Sequence, residues 1–137
     1  MRTTATNPRT DVSNVMGSIV EELKGKAVLA VYLFGSHARG VAGPTSDLDI
    51  CVITETDISR QEEEEIMGNS SRRIDIVLFW DLPPVIGFRV LREGKPLYIR
   101  DELALHRIKV KTLHTYLDMQ PMIRRYCDRL LQRSRNV

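Results

Sequence analysis

Apolar and polar residues alternate along this chain with two periods, and the changes of period mark its elements. Val12, Val15, Met16, Ile19, Val20 and Leu23 recur every three or four positions, which predicts a helix. Asp11 or Ser13 is suited to cap its start and Gly25 to end it. Residues 27–34 are a continuous apolar run stopped by Gly35, the pattern of a central strand buried on both faces. Ser36 to Arg39 reads as the first turn of a short helix, and residues 40–45, with Gly43 and Pro44, as a loop.

The period then shortens to two. In residues 47–53, Leu48, Ile50 and Val52 share one face, and Asp47, Asp49, Cys51 and Ile53 share the other. Residues 57–67 predict a polar surface helix. Residues 72–79 predict a third strand, with Ile74, Ile76 and Leu78 on one face and Asp75, Val77 and Phe79 on the other. Asp81 with Pro83 or Pro84 starts a short helix that Gly94 ends. Residues 95–100 suit a fourth, edge strand. Asp101 starts a long C-terminal helix, which Pro121 is expected to end or kink. Beyond it Met122, Ile123, Tyr126, Cys127 and Leu130 continue the apolar stripe. Helix and strand alternate throughout, so the fold class is α/β (α+β), a small mixed sheet flanked by helices.

Composition adds limits. A chain of 137 residues, 42% hydrophobic and 28% charged, matches an ordinary soluble globular protein. Residues 1–10 read as a flexible polar tail and 11–137 as one domain. No apolar run approaches the roughly 20 residues of a membrane span, and the start lacks a signal-peptide pattern, so a cytoplasmic location is expected. Cys51 and Cys127 form no CxxC pair and are expected to be small buried hydrophobes. The net charge of +2 is unevenly spread: residues 55–65 hold six acids, and residues 104–137 hold eight bases against two acids. The basic segment is either a surface for an anionic partner or a solvated helix face. Few aromatic residues accompany these bases, which weighs against stacking on single-stranded nucleic acid.

The candidate chemistry lies in the acids. Asp47 and Asp49 project from one face of a strand. Two carboxylates ~4 Å apart repel by about 4 kcal/mol at an effective dielectric near 20, and a hard cation removes that penalty. Magnesium prefers such open sites, with one or two carboxylates completed by substrate phosphates. Asp75 interrupts an apolar strand, where folding alone gives no reason for a buried carboxylate. If its strand neighbours that of Asp49, three acids can hold two ions, and Asp75 can also take a proton from an attacking hydroxyl. Gly35 and Ser36 follow the buried strand, where backbone N–H groups favour phosphate oxygens. Ser36 offers a hydroxyl to phosphate or caps the helix. Arg39 can reach a triphosphate or a carboxylate. His37 reads as an exposed loop histidine.

The spacing of these parts carries a resemblance. Gly35-Ser36, ten residues, then Asp47-Leu48-Asp49 is similar to the signature of the DNA polymerase β-like nucleotidyltransferase superfamily, and Arg73-Ile74-Asp75-Ile76-Val77 resembles its third acidic strand. The small size, and the segment from Val90 to Tyr98, resemble the minimal nucleotidyltransferases (MNT, MntA-like), antitoxins of HEPN toxins. That resemblance implies two magnesium ions at Asp47, Asp49 and Asp75, ATP as donor, and a triphosphate turn at Gly35 and Ser36. It further implies AMP transfer to a tyrosine of a HEPN ribonuclease toxin, as in a type VII-like toxin–antitoxin pair, and a hetero-oligomer with that toxin or a homo-oligomer. The alternative is a non-catalytic antitoxin that neutralises its partner by binding. No second domain is present to grip a base or polymer, so a protein acceptor is expected.

Overall fold

The computed structural model describes residues 8–40 and 47–135, with side chains from 13 to 133. In chain order the elements are α1 (Pro8–Leu23), β1 (Val28–Phe34), α2 (Gly35–Ala38), β2 (Leu48–Thr54), α3 (Arg60–Met67), β3 (Ile74–Leu78), α4 (Pro84–Glu93), β4 (Lys95–Ile99) and α5 (Glu102–Arg135), with a 3-10 turn at Phe79–Asp81.

Four strands form one mixed sheet in the order β3-β2-β1-β4. β1 pairs antiparallel with both β2 and β4, while β2 and β3 run parallel. β1 and β2 are therefore central, and their apolar runs are buried on both faces. β4 lies at an edge, as its sequence predicts. One face packs Ile19 and Leu23 of α1 and Ile66 of α3 against Val31, Ile50, Val52 and Ile76. The other packs Val90 of α4 and Leu105 of α5 against Ala30, Tyr32, Cys51, Ile53 and Phe79. The two-residue period of β2 splits its side chains between these layers. In β1 a bulge between Val28 and Ala30 interrupts the alternation.

Local chemistry sets the helix ends. Ser59 accepts from the Glu62 N–H at 3.1 Å, and the Glu62 carboxylate accepts from the Ser59 N–H at 3.1 Å, closing a capping box on α3. Asp101 Oδ1 accepts from the Ala104 N–H at 3.0 Å and opens α5. α4 begins at Pro84 and ends at Gly94, as expected. A Cβ at Gly94 would meet the carbonyl of Leu33 at 3.0 Å, so the end of α4 sits directly on β1.

Two expectations change, and of the end or kink expected at Pro121 the end is excluded. α1 starts at Pro8, so Asp11 and Ser13 lie within the helix rather than capping it; Pro fits a first helical turn, where its missing N–H is not needed. Of the predicted polar tail, residues 1–7 lie outside the described residues. α5 does not end at Pro121. Leu117, whose carbonyl loses its partner there, is 50% exposed, so water can satisfy it. Cys51 is buried but Cys127 is exposed, because the outer part of α5 has little packed against it. The expected loop at 40–45 lies outside the described residues beyond Gly40. Among the described residues no helix is long and apolar enough to cross a membrane.

Candidate active site

The parallel pairing of β2 and β3 builds the acidic cluster. Asp49 and Asp75 are direct register partners, between the pairs Leu48–Ile74 and Ile50–Ile76. Partners on adjacent parallel strands stand about 4.8 Å apart and point to the same face. The Leu48 N–H donates to the Arg73 carbonyl at 2.7 Å and fixes that register at the strand mouth. Asp47 is exposed immediately before β2. The acids occupy the end of the sheet face that α4 and α5 cover further along.

Their environments differ from the expected ones. Asp75 is exposed, because β3 is an edge strand and Asp75 lies near its start. The expected burial of the third carboxylate is therefore not found. Asp49 is the half-buried acid. Burial raises its pKa most, the charges of Asp75 and then Asp47 raise it further, and His37 lowers it. All three acids thus share one electrostatic field. They do not converge on one point: among the described residues no group of three or more His, Cys, Asp or Glu could hold a metal ion.

Gly35 adjoins this cluster through β1. Phe34 is the register partner of Asp49, so the chain turns into α2 directly beside the Asp49 carboxylate. Gly35 has φ +74°, and any Cβ there would collide with Oδ2 of Asp49. The positive φ favours glycine at this position, and a side chain there would also displace the Asp49 carboxylate. Ser36 does not cap α2, whose N-cap position is Phe34. The Ser36 hydroxyl has no partner among the described residues. His37 lies within α2, half-buried rather than in an exposed loop, and its interaction with Asp49 was not legible from its place in the sequence. Arg39 closes α2, its N–H donating to the Gly35 carbonyl at 3.2 Å.

A cavity of about 190 Å³ opens beside this turn, between α2 and α4, and Arg39 and Arg89 both line it. Sequence reasoning missed Arg89. Its only signal is spacing: Ile86, Arg89, Val90 and Glu93 fall on one face of α4.

A family model described as polymerase beta, nucleotidyltransferase matches residues 17–103. A Methanocaldococcus jannaschii protein named as a candidate protein adenylyltransferase is 31% identical over 97 residues, covering 71% of this chain and 76% of its own length. Among solved structures, a chain from a crystallised toxin–antitoxin complex with AMP-PNP superposes with a TM-score of 0.67 at 20% identity, covering 86% of this chain and 97% of that one. A chain from a tri-AMPylated Shewanella oneidensis HEPN toxin in complex with MNT antitoxin gives 0.65 at 19% identity, covering 87% and 98%. These two likenesses establish the common fold.

Proposed function

The chain belongs to the polymerase beta nucleotidyltransferase family, a group of nucleotidyl-transferring enzymes, and from that premise we propose that it transfers AMP from ATP to a tyrosine hydroxyl of a HEPN-type toxin. The observation that carries this reading is the register pairing of Asp49 with Asp75 beside the Gly35 turn. The likeness to chains crystallised in toxin–antitoxin complexes supports the choice of acceptor.

The donor set fits magnesium. Asp49 is held in an unfavourable state by burial and two like charges, which a cation relieves. The open arrangement leaves coordination positions for phosphate oxygens. Asp47, Asp49 and Asp75 would hold the metal, which supplies charge stabilisation on the phosphates. Ser36 and the backbone after Gly35 bind phosphate oxygens, and Arg39 adds a guanidinium. The acceptor hydroxyl attacks the α-phosphorus as the bond to the bridging oxygen breaks. The hydroxyl proton passes to the Asp75 carboxylate, and pyrophosphate leaves. Exposure suits Asp75 to this task, because an acceptor on another protein can reach it.

A second reading has its own observation. The outer half of α5 exposes Leu117, Met122, Tyr126, Leu130 and Leu131, between 47% and 63% accessible. This apolar stripe, flanked by bases, is a surface on which the toxin would dock, and docking alone could neutralise it.

The test combines the chain with a HEPN-type protein, labelled ATP and magnesium. Label enters the partner with the native chain, and Asp47→Asn, Asp49→Asn and Asp75→Asn each reduce transfer at least about a hundredfold. Absence of label transfer by the native chain would sink the catalytic reading. Full neutralisation by the acid variants would establish the binding reading.

A further inference from the structure

The cavity between α2 and α4 has an unusual lining. Phe34 and Ile86 give it an apolar wall, and Arg39 and Arg89 line it from two separate elements, the C-terminus of α2 and the body of α4. Among the described residues neither Arg39 nor Arg89 makes a side-chain hydrogen bond or ion pair. The single carboxylate on the lining is Glu93, which leaves the walls with a net charge of one positive. Two exposed arginines that line one cavity, neither with a side-chain partner among the described residues, favour an oxyanion, since arginine gains most from forked hydrogen bonds to phosphate.

The cavity is also fixed in place. Val90, one residue after Arg89, is buried in the core. Gly94 seats the end of α4 on the Leu33 carbonyl with no room for a side chain. The backbone that carries Arg89 is therefore set relative to β1, and the cavity reaches Gly35, where Asp49 stands.

We propose that Arg89 is a further donor-binding residue, which grips the terminal phosphates of the nucleoside triphosphate from α4 while Arg39 holds them from α2. The cavity is then the seat of the departing pyrophosphate, whose two phosphates stay bound after the α-phosphate has gone to the acceptor. This assignment rests on the nucleotidyl-transfer reading. Arg89 discriminates by phosphate count and not by base, so a triphosphate donor is favoured over a diphosphate. Glu93 opposes the same anion and keeps pyrophosphate release from stalling.

The experiment measures calorimetric binding of tripolyphosphate, ATP and adenosine, each with magnesium, to the native chain and to Arg89→Ala, Arg89→Lys and Glu93→Gln. Arg89→Ala weakens tripolyphosphate and ATP together by about tenfold, the loss of one charge-assisted contact, and leaves adenosine unchanged. Arg89→Lys recovers part of the loss. Glu93→Gln, which changes no volume, tightens tripolyphosphate by roughly threefold. Native-like tripolyphosphate binding by Arg89→Ala, or a loss confined to adenosine, overturns the proposal. If Arg89→Ala fails to fold, unchanged tripolyphosphate binding in both Arg89→Lys and Glu93→Gln overturns it equally. A native chain that binds neither ATP nor tripolyphosphate would instead overturn the donor reading on which it rests.

Discussion

Asp49 carries the electrostatic tension of the site. Burial and the charges of Asp75 and Asp47 hold its pKa above the ordinary aspartate value, against a smaller opposing effect of His37. The folded chain therefore binds this proton more tightly than the unfolded chain does. Between the unfolded value, about 3.9, and the raised folded value, stability falls as pH rises, and the loss is complete above that window. In buffer free of divalent ions at pH 7, Asp49→Asn should melt at a higher temperature than the native chain. The difference should disappear below about pH 4. Magnesium should raise the melting temperature of the native chain more than that of the variant. Melting curves across pH, with and without magnesium, check all three, and a native chain as stable as Asp49→Asn at pH 7 would remove the strain from the account. The acids themselves were legible because Asp47 and Asp49 share a strand face and Asp75 breaks an apolar pattern. Their environments were not. Which acid is half-buried depends on strand order, and periodicity within a strand does not report whether that strand lies at an edge.

At the scale of elements, nearly every helix and strand was written in the hydrophobic period, from the buried run of β1 to the alternation of β2 and β3. What the period could not show were features decided by other chain segments or by solvent. Pro121 does not stop α5, because the helix there is largely exposed and water can satisfy the freed carbonyl. Arg89 became visible only when α4 was laid beside α2. The capping box of α3 also escaped notice, although Ser59 and Glu62 stand in the right spacing. α3 packs Ile66 on the sheet face opposite the acids, so its stability and the chemistry are separable. Ser59→Ala should cost about 1 kcal/mol in urea unfolding while leaving AMP transfer unchanged. A transfer rate that fell along with stability would show that α3 reaches the site after all.

The whole molecule divides its labour along the chain. The acids and the cavity are complete by Gly94 and the sheet by Ile99, and the first part of α5 closes the core through Leu105. Phe88 stacks on Tyr116 with ring centroids 4.0 Å apart, tying α4 to α5 near the middle of that helix. Beyond Pro121 every described side chain except Ile123 is exposed. Removing residues 122–137 should shift the melting temperature by no more than about 3 °C, given how little apolar surface is lost from the core. It should abolish co-purification with the HEPN-type partner. A truncated chain that still co-purifies would move the docking surface elsewhere. The order of these parts has a consequence for synthesis. The ribosome releases the chain from its N-terminus, so Gly35, Asp49, Asp75 and Arg89 emerge before the exposed stripe of α5 does. On the proposed function, a nascent chain would hold the residues that modify a partner before the surface that binds one. On the proposed docking to α5, a partly made copy would not occupy a partner unproductively, because the proposed catalytic residues precede that surface in the chain.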